Sequence, residues 1–150
     1  MGFWGRKFVL CWVLVCASLC AMVASADALR LSDARIRLPL PGQTTAVVYM
    51  QLHNQAAQAL TIRGVEVEGA GASELHQHVH RDGMMRMRRL EQISVASGQQ
   101  LAFESGSYHI MAFRMEVSTR LATQDDHSYT VTLILDSGQR VSTEAKVMTL

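Results

Sequence analysis

From residue 34 onward, apolar and polar residues alternate with the period of two that is typical of β-strands. Segments of this kind, or segments rich in β-branched residues, lie at 34–38, 44–52, 60–68, 93–95, 100–104, 108–115, 129–135 and 140–149. Turn signals such as Pro39-Leu-Pro-Gly42 and Asp136-Ser-Gly138 separate them. No segment shows an apolar stripe of helical period and length. Seven or more short strands at this spacing predict an all-β sandwich or barrel.

Asp82-Gly83 predicts a tight hairpin, because both central positions of a type I′ turn need positive φ. The tightest register pairs Arg81 with Met84, His80 with Met85, His78 with Met87 and Gln77 with Arg88. Alternate residues then share one face of the hairpin. The potential ligands on that face are His76, His78, His80, Met85 and Met87.

Residues 1–26 have the pattern of a secretory signal peptide. Arg6 and Lys7 precede an apolar run over 8–23, and the small residues Ala24-Ser-Ala26 come before Asp27. We expect cleavage after Ala26 and a periplasmic protein. An uncleaved anchor is the alternative, but the run is shorter than the roughly 20 residues of a spanning helix. A lipid-modified cysteine is less well supported, because Leu or Val precedes each cysteine.

The predicted mature chain, residues 27–150, forms one domain without cysteines, since Cys11, Cys16 and Cys20 all lie in the signal. It therefore has no disulfide and no thiolate ligand. Without Arg6 and Lys7, 12 of the 14 Lys+Arg remain against 13 Asp+Glu, a formal net charge of −1. This balance argues against nucleic-acid or membrane-surface binding.

The segment 76–111 concentrates uncharged metal ligands. It contains four of the six histidines and four of the nine methionines of the chain. Imidazole nitrogen and the soft thioether sulfur together suit monovalent copper better than zinc, calcium or magnesium. A zinc site of His76, His78 and His80 is possible in principle, but it leaves the methionines unexplained.

The spacing of these ligands, H-x10-M-x21-H-x-M, resembles the signature of the periplasmic copper(I) chaperones known as PCuAC proteins. Its four positions are His76, Met87, His109 and Met111. The segments DARIRLPLPG, YMQLHN, ELH and YHIM extend the resemblance over the whole mature chain. The resemblance implies a cupredoxin-like Greek-key β-sandwich.

The leading hypothesis is a monomeric copper(I) carrier. Some relatives carry a His- and Met-rich C-terminal extension that can take a second copper, whereas this sequence ends VSTEAKVMTL, so we expect one Cu(I) ion per chain. The resemblance implies delivery to a cytochrome c oxidase subunit or to a thiol-containing assembly factor, and we expect transfer by ligand exchange. His109 and Met111, two apart on one strand, share a face. In the tight hairpin, Met87 lies directly opposite His78 and only diagonally from His76. We follow the family signature in assigning His76; a wider loop or bulge at 79–84 would bring it closer to Met87. His78, His80, Met84 and Met85 are secondary candidates.

Other hypotheses about the function are less well supported by the sequence. A copper storage or resistance protein, or a β-sandwich interaction module without metal, is the main alternative. Nucleophile elbows, HExxH motifs, phosphate loops and catalytic cysteines are absent from the mature sequence, so we expect no enzyme. The remaining methionines of the mature chain, Met50, Met115 and Met148, are predicted to pack in the core. His53 and His127 are predicted to be loop or surface residues.

Overall fold

The computed structural model describes residues 28–81, 83–116 and 127–148. Within these ranges the regular structure consists of ten β-strands, and no helix there is long and apolar enough to cross a membrane. The strands are β1 (Leu29–Arg37), β2 (Ala46–Asn54), β3 (Leu60–Val67), β4 (Ala72–Arg81), β5 (Met84–Leu90), β6 (Ile93–Val95), β7 (Gln100–Phe103), β8 (Tyr108–Phe113), β9 (Ser128–Leu135) and β10 (Arg140–Val147). The all-β prediction is confirmed. The predicted signal peptide lies outside the described residues.

The strands follow one continuous hydrogen-bonded order, β5-β4-β8-β7-β2-β1-β10-β9-β3-β6. A parallel pairing of β1 with β10, with Ile36 opposite Val147, joins two halves of this order, β5-β4-β8-β7-β2-β1 and β10-β9-β3-β6. Many neighbours in the sheet are far apart in sequence, as in Greek-key folds. Buried residues from both halves belong to a single hydrophobic cluster, so the halves enclose one core as a β-sandwich.

The core is built from the inward-facing residues of the alternating strands. Its largest fully buried apolar side chains are Phe103, Ile36, Met50, Leu52, Ile62, Ile110, Leu133 and Leu135. Burial of one such side chain contributes about 1.5–3 kcal/mol. Met115 is also buried, as predicted, whereas Met148 is half-buried.

Asn54, the last residue of β2, is a completely buried polar residue. Its side-chain amide nitrogen donates to the carbonyls of Gln58 at 2.8 Å, Val95 at 2.9 Å and Ala96 at 3.1 Å. Its side-chain oxygen accepts from the Ala56 amide at 2.9 Å. Asn54 thus ties the end of β2 to the loop that follows it and to the end of β6.

The hairpin of β4 and β5 has the predicted tight register, from Leu75 opposite Leu90 to Arg81 opposite Met84. Gly83 has φ +74°, as the predicted turn requires. The pairing is regular from Leu75–Leu90 to Arg81–Met84, without the wider loop or bulge that would bring His76 closer to Met87, and His78 is the direct partner of Met87.

Candidate metal centre

Strand β8 lies on the other side of β4 from β5, and its register with β4 creates the site. Leu75 faces Ile110, and both side chains are buried in the core. Because alternate residues point to opposite faces, the next pair, His76 and His109, lies on the outer face of the same strands. The imidazole centroids of His76 and His109 are 5.9 Å apart.

The other two residues of the signature, Met111 and Met87, lie on either side of this histidine pair. Met111 follows His109 on the same face of β8, directly opposite Glu74 of β4. Met87 lies on β5 opposite His78, and is therefore a diagonal neighbour of His76. Met111 is half-buried, whereas Met87 is 48% exposed. The fold thus gathers His76, Met87, His109 and Met111 on one outer face, across three adjacent strands.

His109 is only 2% exposed although it faces outward. Its Nδ1 lies 3.1 Å from the Ser107 carbonyl oxygen. A carbonyl can only accept, so Nδ1 carries the proton and Nε2 keeps the lone pair. Nε2 is buried and has no hydrogen-bond partner. His109 therefore presents a bare acceptor nitrogen within the site.

His76 is fixed in a comparable way by a carboxylate. Its Nε2 lies 2.9 Å from one oxygen of Glu74, and the other oxygen of Glu74 lies 3.1 Å from a guanidinium nitrogen of Arg89. A carboxylate accepts this bond from the ring, so Nε2 carries a proton, and in the neutral tautomer that this bond favours Nδ1 keeps the lone pair. That Nδ1 is buried without a partner. This arrangement matches the carboxylate–histidine pairs that orient metal-binding imidazoles.

His78 completes a cluster of three imidazoles. Its ring stacks on that of His109, with centroids 4.7 Å apart and planes inclined by 26°. Its Nδ1 is also buried and unpaired. In the part of the chain that the structure describes, only four side-chain polar atoms are buried without a partner, and three of them belong to His76, His78 and His109. A buried polar atom without a partner costs free energy unless a ligand satisfies it, so the bare nitrogens of His76 and His109 are suited to bind an electrophile such as a metal ion.

No group of three or more His, Cys, Asp or Glu side chains is placed to hold a metal ion within residues 28–81, 83–116 and 127–148. A site with only two imidazoles and two thioethers fits this observation, because methionine supplies the remaining donors. Soft neutral donors of this kind select Cu(I), which does not impose square-planar geometry.

The pKa of His109 is lowered from its usual value, mainly because burial disfavours the imidazolium form. The bond to Ser107 raises the pKa, whereas the charges of protonated His78 and His76 would lower it. The net effect keeps His109 neutral, and its Nε2 free, at neutral pH.

The lowered pKa predicts how the stability of the metal-free protein depends on pH. Unfolded His109 binds a proton near pH 6.5, while the folded protein resists it, so unfolding takes up protons and stability falls as the pH drops below about 6.5. Thermal unfolding between pH 5 and 8 should show this fall. The His109→Gln variant should show a shallower fall than a His53→Gln control, and equal slopes in the two variants would contradict the assignment.

The other candidate residues lie at the edges of this cluster or away from it. His80 is opposite Met85 near the hairpin turn, and both are exposed. Met84 pairs with Arg81 and points to the opposite face. His53 is half-buried on β2, and His127 packs edge-on against Tyr129 at 4.9 Å.

The sequence also matches a known family. The family model for LpqE-like lipoproteins covers residues 29–147. The chain belongs to the LpqE-like family. No curated protein matches the sequence significantly.

Several solved structures share the architecture of this LpqE-like chain. The copper-bound PCuAC domain from PmoF2 is 18% identical, with a TM-score of 0.64 over 82% of this chain and 94% of that domain. The apo PCuAC domain from PmoF1 is 15% identical, with a TM-score of 0.65 over 82% and 95%. CuI-DR1885 from Deinococcus radiodurans is 22% identical, with a TM-score of 0.61 over 85% and 84%. The predicted cupredoxin-like sandwich, and the resemblance to PCuAC domains at the level of the fold, are confirmed.

Glu74 is the part of the site that the sequence reasoning missed. It precedes His76 by two residues on β4 and so shares its face. The spacing Glu-x-His on a predicted strand was a usable signal for a carboxylate that orients the imidazole.

Proposed function

We propose that this protein is a copper(I) carrier outside the cytoplasm, which holds its ion through His76, Met87, His109 and Met111. The observation that carries the proposal is the convergence of buried, unpaired imidazole nitrogens with thioethers on one outer face of the sheet. The description of the family as lipoproteins and the copper-bound PCuAC structures support this location and cargo.

His76 is a better ligand candidate than His78 on two grounds. It is the direct cross-strand neighbour of His109, and Glu74 already fixes its tautomer. Met87 is largely exposed, and its flexible side chain can reach over the diagonal to His76. Because none of the four ligands carries a charge, the site holds copper less tightly than thiolates would. That property suits a carrier that must release its ion.

We infer that one tightly held ion is bound per monomer and passed on without becoming free in solution. The ligands of a recipient would replace one imidazole or thioether at a time, without change of oxidation state. A cytochrome c oxidase subunit and a thiol-containing assembly factor are the proposed recipients. The role is transport rather than catalysis.

Titration of the mature chain, residues 27–150, with Cu(I) in competition with a chromogenic chelator tests the proposal under anaerobic, reducing conditions. We expect one tightly bound equivalent, and weaker binding of Cu(II), which prefers nitrogen and oxygen ligands. Copper-loaded protein should then transfer its ion to the copper domain of the oxidase. If no tight equivalent is bound, the carrier hypothesis is wrong, and the alternative of a β-sandwich interaction module without metal is favoured.

Glu74 should affect copper binding although it does not touch the ion. Glu74→Gln should weaken Cu(I) binding about 10–100-fold, as is typical when a residue that orients a ligand is replaced. Long-range ¹H–¹⁵N spectra should show that His76 no longer has a single protonated nitrogen, Nε2. Glu66→Gln is a matched control, because Glu66 also pairs with an arginine, Arg140, but in the other half of the sheet. Equal affinities of the two variants would contradict the role of Glu74.

A further inference from the structure

Pairs of imidazole and thioether continue from the candidate metal centre along the hairpin. His78 is directly opposite Met87, and His80 is directly opposite Met85. Directly opposed residues have β-carbons about 4.5–5.5 Å apart, and successive pairs on one face are about 7 Å apart along the strands. A row of soft and borderline ligands therefore leads from His76 towards the turn at Gly83.

Exposure increases along this row. His109 is 2% exposed and the His76 side chain 12%, whereas His78 is half-buried and His80 exposed. The methionines follow the same order, with Met87 at 48% and Met85 at 59%. The outermost pair, His80 and Met85, is thus accessible to solvent and to a partner, whereas His76 and His109 are largely buried.

Packing does not explain the methionines of β5. The whole strand apart from Leu90 is exposed, and Met84, Met85 and Met87 are three of the four large exposed hydrophobic residues in the described ranges. Met85 faces an imidazole, whereas Met84, equally exposed, faces Arg81 on the opposite side of the hairpin. The two neighbouring methionines therefore differ in whether a second metal ligand stands beside them.

We propose that His80 and Met85 form a second, weaker Cu(I) site, at which the ion is loaded and released, and that the His78–Met87 pair connects it to the inner site. This inference rests on the proposed function. A single nitrogen and a single sulfur donor can hold a two-coordinate Cu(I) ion, and their neutrality and exposure make the binding weak. Movement along the row exchanges donors only, so the copper stays monovalent and no electron or proton is needed.

Stoichiometric Cu(I) titration of the mature chain tests this second site. The wild type should bind one tight and one weaker equivalent, and the double variant His80→Ala, Met85→Ala should lose only the weaker one. The matched control Arg81→Ala, Met84→Ala removes the adjacent cross-strand pair and an equally exposed thioether, and should retain both equivalents. Circular dichroism establishes that both variants are folded.

The outcomes separate this proposal from the carrier function. A wild type with no second equivalent, or a double variant that keeps it, overturns the hairpin site and leaves the inner site intact. Loss of the weaker equivalent in the control as well would show that it depends on the hairpin as a whole, and also overturns the assignment. Absence of the tight equivalent overturns the carrier function itself.

Discussion

The double variant His109→Ala, Met111→Ala is expected to lose tight Cu(I) binding. Both residues lie on the same face of β8, and His109 is the most deeply buried member of the proposed set, with its ring oriented by the bond to Ser107. Loss of an orienting residue alone typically costs 10–100-fold in metal affinity, so removal of two direct ligands should cost more than about 1,000-fold. Competition titration against a chromogenic chelator measures the difference.

The control for this variant is Met115→Leu. Met115 lies just beyond β8 but is buried in the core, so its thioether is not available to the site. It should bind copper like the wild type. Tight binding retained by His109→Ala, Met111→Ala, with the variant folded, would contradict the assignment of these ligands.

Asn54→Ala is expected to reduce the free energy of unfolding by about 2–4 kcal/mol. The substitution removes the bonds to the carbonyls of Gln58 and Ala96, worth about 0.5–1.5 kcal/mol each, and the buried bond to the Val95 carbonyl, whose loss costs about 1–3 kcal/mol. Water entering the space would offset part of that loss. Urea denaturation measures the change, and the slope with denaturant should stay constant.

Gln51→Ala provides the comparison on the same strand. Gln51 is exposed on β2, so its removal should change stability by no more than about 0.5 kcal/mol. A similar small effect for Asn54→Ala would show that the amide bonds of Asn54 do not hold the end of β2 in place.

Much of the fold could be predicted from local sequence patterns. The Asp82-Gly83 turn and the alternation around it were sufficient to predict every pair from Gln77–Arg88 to Arg81–Met84, because a short turn fixes the register of its own strands. The alternation over 129–135 and the turn signal at Asp136-Ser-Gly138 were sufficient to predict the two strands of a second hairpin, but not which residues pair in it.

Non-local features escaped the sequence reasoning. The position of β8 against β4 depends on how Leu75 and Ile110 pack in the core, and no turn connects these strands to reveal it. Strand β1 was predicted only from Ala34, whereas it begins at Leu29. An irregularity between Ser32 and Arg35 shifts the buried positions from odd to even residue numbers. The alternation that begins at Ala34 therefore does not extend back to Leu29, and the first part of the strand could not be recognised from it.

Buried polar residues also could not be recognised. Asparagine is common in loops, so the sequence gives no sign that Asn54 is buried. Its burial is evident only in the structure, where the end of β6 lies beside it. The choice between His76 and His78 similarly depends on Glu74 and on the register with β8, which the hairpin alone does not contain.

X-ray absorption at the copper edge, on protein loaded with one equivalent of Cu(I), tests the central claim most directly. The proposed site predicts a monovalent ion with two sulfur and two imidazole neighbours, and loss of one sulfur neighbour in Met87→Ala. An environment of nitrogen and oxygen alone, or a spectrum that Met87→Ala leaves unchanged, would contradict a site made of His76, Met87, His109 and Met111.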